Sequence, residues 1–220
     1  MPLFKDRKDA GKRLARALVE FTGKRALVLG MPRGGVVVAN EVAEALDAPF
    51  DIVVTRKIGA PGEPEFALGA VTQEGDVMVD RHAAELAGAT AEYLEEEAGR
   101  KKLEVIDRMR SLRGDVPYPE LGGKTVIIVD DGMATGSSMR AAVQSVKKRG
   151  PEEVVVAVPV APSEAVAEIS KEGTRVVCIE QPRLFFAIGQ FYQDFNQVDD
   201  SEVKLLLEGA REKRRFKSVK

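Results

Sequence analysis

Short β-branched apolar runs recur along this chain, and segments of helical spacing separate them. The runs lie at 25–29, 50–55, 125–129, 154–158 and 175–179, the strongest being Thr125-Val126-Ile127-Ile128-Val129. Leu14, Ala17, Leu18 and Phe21 form one helical stripe, and Val37, Val38, Val42, Ala45 and Leu46 form another that Pro49 ends. Further helices are predicted over 138–149, 164–172 and from about Ser201 onward. Such alternation dictates parallel strands joined by right-handed crossovers. The expected fold is therefore α/β, a mostly parallel twisted sheet flanked by helices. In sheets of this kind ligands bind at the carboxyl ends of the strands, so the loops leaving each strand are where chemistry is to be sought.

Three stretches depart from the alternation. Gly59, Pro61, Gly62 and Pro64 crowd together and predict a loose, mobile loop over 58–65. Strands at 66–71 and 77–79 predict a hairpin over Glu74-Gly75-Asp76. Residues 83–112 read as a long charged helix inserted into the alternation. Glu96 with Arg100 and Glu97 with Lys101 would be paired along a solvated face. A Pro/Gly linker follows at 114–123. The segment 211–220 has six basic residues and one acid and reads as a frayed basic tail. At 220 residues, one elaborated domain is expected, with a core over about 25–180.

Composition narrows the functions. Lys and Arg number 33 against 35 Asp and Glu, a net charge of −2, which is no electrostatic footprint for bulk nucleic-acid binding. Nucleic acid is not an expected partner, although the basic tail leaves the question open. The longest apolar run, about nine residues near 154–162, is far short of the ~20 needed to cross a bilayer. Met1-Pro2-Leu3-Phe4-Lys5 shows no apolar signal region. One cysteine, Cys178, and one histidine, His82, exclude an internal disulfide and a histidine-rich metal cluster. A cytoplasmic protein without a membrane partner is expected.

The loop after the strongest strand reads Asp130-Asp131-Gly132-Met133-Ala134-Thr135-Gly136-Ser137-Ser138. Glycines let backbone N–H groups converge on an anion. The following helix N-terminus adds unpaired donors and about half a positive charge, and Thr135, Ser137 and Ser138 add hydroxyls. That donor set suits a phosphate monoester. The two carboxylates would repel a phosphate and suit paired hydroxyl donors, such as a vicinal diol. Phosphate and diol a few ångströms apart describe a ribose 5-phosphate. A P-loop fits worse, because Gly123-Lys124-Thr125 precedes its strand, and neither a dinucleotide G-x-G-x-x-G nor a G-x-S-x-G elbow is present.

Other strand ends offer cations. Pro32-Arg33-Gly34-Gly35 places a guanidinium and exposed amides at a helix start, either a second anion site or an ordinary glycine turn. Arg56 and Lys57 follow the 50–55 strand. They could neutralise an anion or be a solvent-facing pair. The segment 181–195 holds Phe185, Phe186, Phe191, Tyr192 and Phe195, which could stack on a ligand or pack in a core.

The strand, the paired acids and the loop closing on Thr-Gly and hydroxyls resemble the ribose-phosphate signature of the type I phosphoribosyltransferases. The resemblance spans about residues 25–195, with 83–112 as an insertion and 181–200 as the small hood over the active site. It implies transfer of ribose 5-phosphate from phosphoribosyl pyrophosphate to a nitrogenous acceptor, a base or an amine, with release of pyrophosphate. It also implies roles. Asp130 and Asp131 would orient the ribose hydroxyls, and Gly132, Met133, Ala134, Thr135, Gly136, Ser137 and Ser138 would anchor the 5-phosphate. Arg33, Gly34 and Gly35 would form the pyrophosphate loop, whose peptide is often strained in the family. Arg56 and Lys57 would neutralise the leaving group beneath the mobile loop, from which Glu63 or Glu65 could serve as acid or base. Magnesium would be held mainly by the pyrophosphate, with Asp130 as a candidate ligand. Enzymes for 6-oxopurines carry an acid where this chain has Ala134, which argues against hypoxanthine, guanine and xanthine. A non-catalytic sensor of phosphoribosyl pyrophosphate or nucleotide is the main alternative, an unrelated phosphosugar enzyme a more distant one, and a homodimer stays open.

Overall fold

The structure, a computed structural model, describes residues 2–217, without the side chains of Glu65 and of 215–217. In chain order its elements are α1 (Arg7–Ala17), β1 (Ala26–Gly30), α2 (Gly34–Leu46), β2 (Phe50–Ile52), β3 (Thr55–Ala60), β4 (Glu63–Thr72) and β5 (Val77–Val79). There follow α3 (Arg81–Leu86), α4 (Ala91–Arg113), β6 (Thr125–Val129), α5 (Ser137–Lys147), β7 (Glu153–Val160), α6 (Ser163–Lys171), β8 (Arg175–Glu180) and α7 (Asp200–Lys217). The predicted α/β architecture is present. Five parallel strands run in the order β2-β1-β6-β7-β8. Strands β1, β6 and β7 are almost wholly buried, which is why they read as continuous apolar runs rather than alternating ones. The register pairs Gly30 with Val129, so the loops leaving β1 and β6 start level with one another.

Those two loops diverge. Helix α2 joins α1, α4 and α7 in one buried cluster with Val36, Val42, Leu14, Val105 and Leu207. Helices α5 and α6 lie in another, through Met139, Val143 and Ile169. The chain thus turns to one side of the sheet after β1 and to the other after β6, which leaves a crevice between adjacent strand ends.

Four expectations need correction. The 50–55 run is not one strand: β2 ends at Ile52, and Thr55 opens β3 in a separate antiparallel sheet, β3-β4-β5. Uniform burial of 50–54 masks the change of sheet, since both halves look equally apolar. The loose loop at 58–65 is instead the β3–β4 hairpin. Ala60 pairs with Glu63 across a two-residue turn, Pro61-Gly62, with Gly62 at φ +75°. Proline and glycine there set a tight turn, not slack. Ile58 and Leu68 are fully buried, each contributing about 1.5–3 kcal/mol of burial, and they root the hairpin in the same core as α2 and α4. The predicted hairpin between 66–71 and 77–79 is present as β4–β5.

The 83–112 helix is two helices. Gly88, at φ +64°, separates them, and Thr90 caps α4 by accepting from Tyr93 N at 3.2 Å. Nor is α4 merely a solvated face, because it buries Ala98, Val105 and Leu112 together with Glu97 and Arg113. Arg100 pairs with Glu97 three residues back (2.6 Å) rather than with Glu96, while Glu97 and Lys101 stand 3.9 Å apart. The basic tail does not fray at 211: α7 continues through Lys217, and 218–220 lie outside the described residues. No helix among the described residues is long and apolar enough to cross a membrane.

Candidate active site

The crevice between β1 and β6 brings the acid pair directly against the glycine loop. A Cβ on Gly34 would stand 1.9 Å from Asp131 Oδ2, and one on Gly35 would stand 2.6 Å from Asp130 Oδ1 and 2.9 Å from the Val129 carbonyl oxygen. Only glycine fits at either place, so the backbone that begins α2 reaches the carboxylates themselves. Met31 N donates to Val129 O at 2.9 Å and fastens the two loops together. The Pro32–Arg33 peptide is cis, and Arg33 sits at the N-cap of α2.

Asp130 is half-buried, and its Oδ1 accepts from Asp131 N at 2.8 Å. Asp131 is buried, and its Oδ2 accepts from Arg7 Nε at 2.7 Å. Burial pushes both carboxyls above the ordinary aspartate range. The neighbouring Asp131 charge adds to the rise at Asp130, while Arg7 pulls Asp131 part of the way back. Ionising both acids is thus costly until cationic or hydroxyl donors arrive.

Arg7 carries no motif and was not legible in the sequence. Its Nη1 donates to Asn196 O at 2.7 Å and its guanidinium lies 3.8 Å from the Phe195 ring centre. It therefore bridges the first helix, the acid pair and the hood. The hood, 181–200, is irregular up to Asp199 apart from one 3₁₀ turn, Ile188–Phe191, and its last residue opens α7. The N-terminal segment laces it in place. Phe4 N donates to Phe191 O (2.9 Å) and Gln193 N to Phe4 O (2.9 Å). Phe191 and Tyr192 pack with Phe4 in a small core, and Tyr192 Oη donates to Asp131 O at 2.5 Å. Phe185 packs on Phe191 with ring centres 5.2 Å apart, so three of the five hood aromatics are structural, while Phe195 lies beneath Arg7 and Phe186 is 84% exposed.

Along the acid loop, Ile188 closes over Gly132, where a Cβ would come within 2.6 Å. Met133 points into the core, and its N–H already donates to Val160 O at 3.0 Å. The surface open to an anion is therefore Ala134, Thr135, Ser137 and Ser138, all exposed, around Gly136 at φ +79°. Thr135 Oγ1 and Ser137 Oγ lie 3.2 Å apart, and the first N–H groups of α5 have no partner within the helix.

The cations divide differently from expectation. Arg56 and Lys57 lie within β3, and adjacent strand residues point to opposite faces. Arg56 faces α4, with its Nε 3.7 Å from Glu104 Oε2, and Lys57 is the next residue along the strand. Glu63 is exposed at the hairpin turn. Glu65 belongs to the β4 backbone, and its side chain lies outside the described residues. His82 is exposed, and burial pushes the Cys178 thiol up to about 11. No group of three or more His, Cys, Asp or Glu among the described residues could hold a metal.

Known proteins share this sequence pattern and this fold. The family model for the phosphoribosyl transferase domain matches residues 4–196. Two Mycobacterium tuberculosis proteins, from strains CDC 1551 and H37Rv, are provisionally named phosphoribosyl transferases, and each is 42% identical over 216 residues. The match covers 96% of this chain but 47% of theirs, so the chain spans about half the length of these curated relatives. The crystal structure of TT1426 from Thermus thermophilus is similar at TM-score 0.79 and 44% identity, over 94% of this chain and 98% of that one. A hypothetical protein from Neisseria gonorrhoeae, crystallised with ppGpp, shares the fold at TM-score 0.52 and 18% identity, over 96% and 97% of the two chains. A parallel sheet with paired acids set against a glycine loop at the switch point defines the class, and this chain belongs to the phosphoribosyl transferase domain family.

Proposed function

We propose that this protein transfers the ribose 5-phosphate of phosphoribosyl pyrophosphate to a nitrogenous acceptor, a base or an amine, and releases pyrophosphate. The observation that carries the reading is the abutment of Asp130 and Asp131 on Gly34 and Gly35. It puts acceptors for a vicinal diol beside backbone donors for an anion. The exposed turn at 134–138 supplies a second anion site on the other branch of the crevice.

In this reading the 5-phosphate rests on the amides and hydroxyls of 134–138. The ribose hydroxyls donate to Asp130 and Asp131. The diphosphate lies over the start of α2, with Arg33 and Arg56 beside it. As the C1–O bond breaks and a C1–N bond forms, positive charge develops at the ribose, and the two carboxylates stabilise it. Magnesium would be held mainly by the diphosphate oxygens with Asp130 as its protein ligand, offsetting the charge of the leaving group. A donor set of one or two carboxylates fits that ion only when phosphates complete it. Ala134, exposed at the start of the turn, offers no carboxylate to a 6-oxopurine.

Calorimetry with phosphoribosyl pyrophosphate and magnesium tests the site. Asp130→Asn combined with Asp131→Asn should weaken binding at least about tenfold, since each charge-assisted hydrogen bond is worth roughly 1.5–3 kcal/mol. Unchanged affinity removes the diol assignment. A panel of bases and amines, read by pyrophosphate release, tests turnover. Tight binding with no release across the panel would point instead to a sensor.

A further inference from the structure

Three arginines from three separate elements converge beside the glycine loop, and one carboxylate ties two of them together. Arg33 comes from the turn after β1, Arg56 from β3 and Arg108 from α4. Asp200, the first residue of α7, bonds Arg108 Nη1 through Oδ2, while Arg33 Nη1 stands 3.9 Å from its Oδ1. That Oδ1 is buried and has no hydrogen bond. Glu104 is the second acid of the cluster, 3.7 Å from Arg56. Asp199 also lies within reach of the Arg33 charge, so three guanidiniums face three carboxylates, and Asp200, bonded to one arginine and near a second, is the acid an incoming anion would have to displace.

Exposure distinguishes this cluster from a structural one. The side chains of Arg33, Arg56 and Asp200 are 41%, 36% and 37% exposed, so a solute can reach them. Arg108 is 16% exposed and anchored in the α4 face. Burial and the nearby Arg108 charge both lower the pKa of Arg56, which records mutual repulsion that an added anion would relieve.

We infer that Asp200 holds the place of the substrate's diphosphate, gathering Arg33 and Arg108 until the anion displaces it, and that Arg108 is a third cation of the leaving-group site. This rests on the transferase reading above but adds to it. It gives the inserted helix α4 and the C-terminal helix α7 a role in binding, through residues 92 positions apart. In the bound state Arg33 and Arg108 would turn from one carboxylate to the diphosphate oxygens. Asp200 would retain its place in the first turn of α7, where the helix N-terminus favours its charge.

The experiment titrates inorganic pyrophosphate with magnesium, and separately ribose 5-phosphate, into the wild type and three variants. Arg108→Gln should weaken pyrophosphate binding roughly tenfold, the loss of one charge-assisted contact. Asp200→Asn should strengthen it at least about threefold, because a competing charge is gone. Arg108→Lys should recover most of the loss. Ribose 5-phosphate affinity should stay unchanged in all three, whereas a merely structural role would disturb both ligands together. Wild-type protein that binds pyrophosphate while Arg108→Gln binds it equally well, or Asp200→Asn that weakens it, overturns this inference and leaves the transferase reading standing. Wild-type protein that binds neither ligand overturns both.

Discussion

Arg113 and Asp51 meet in the core at 2.6 and 2.7 Å, and Arg7 and Asp131 meet in the crevice at 2.7 Å. Side-chain exposure is low in both, 5% and 9% for the first pair, 12% and 11% for the second. The first pair is bidentate and closed. Arg113 also donates to Val116 O and Pro117 O, and Asp51 accepts from Ile52 N. Its one positive and one negative charge cancel. The second pair is monodentate and shares its cation with a third group, because Asp130 adds a carboxylate at the same place. Two acids and one guanidinium leave a surplus of negative charge in a poorly solvated crevice. Burial alone therefore does not separate these two ion pairs, whereas charge balance does, and the unbalanced one lies at the proposed site.

The largest expected effect belongs to the balanced pair. Asp51→Ala leaves Arg113 buried and unpaired, and should cost about 3–5 kcal/mol of stability without a change in phosphoribosyl pyrophosphate affinity beyond what unfolding removes. Urea melts with and without substrate would show it. A loss under about 1 kcal/mol would erase the contrast between the two pairs. Next comes Gly35→Ala, whose Cβ would press on Asp130 and on Val129 O. Overpacking there should cost about 1–3 kcal/mol and substrate affinity should fall as well, because the loop and the acids cannot both keep their places.

The unbalanced pair should behave in the opposite sense. Asp130→Asn is expected to stabilise the ligand-free protein near neutral pH by about 1 kcal/mol or more, or about 2–4 °C in Tm, while weakening substrate binding. The sign follows from the upward shift of both carboxyls. A raised folded-state pKa contributes stability below the ordinary aspartate range, and that contribution is lost as pH rises through the raised value. The gain from Asp130→Asn should thus be small in acid and grow toward neutral pH. A Tm difference that does not change with pH would contradict the proposed charge surplus. The smallest effect is a control. Gly99 lies inside α4 with open space around it, so Gly99→Ala should stabilise by about 1 kcal/mol with no effect on binding.

Much of this was open to sequence reading because it is local. Residues 125–138 hold an apolar strand, two acids, glycines and hydroxyls in one continuous stretch, and the chain leaves no freedom in where they lie relative to one another. The five parallel strands were legible for the same reason, each being a short buried run flanked by helical spacing. The reading failed where distant segments meet. Arg7 and Asp131 are 124 residues apart, and Arg108 and Asp200 are 92 apart, with ordinary surface-like neighbours at each position. Arg56 and Lys57 read as following a strand, whereas both lie inside β3, paired with β4 in a second sheet. The Pro/Gly stretch at 58–65 looked slack because the core contacts of Ile58 and Leu68, which make it a hairpin, are absent from its own composition.

The amino-acid sequence by itself determined the sheet, the chemistry of the acid turn and the family, since backbone propensity, apolar period and loop composition act between near neighbours. Only the tertiary structure decided which cation pairs with that turn, Arg7 with Asp131, and how its charge is balanced. Electrostatic interaction depends on distance through space, and the fold sets that distance by closing loops of about a hundred residues whose partners carry no local mark.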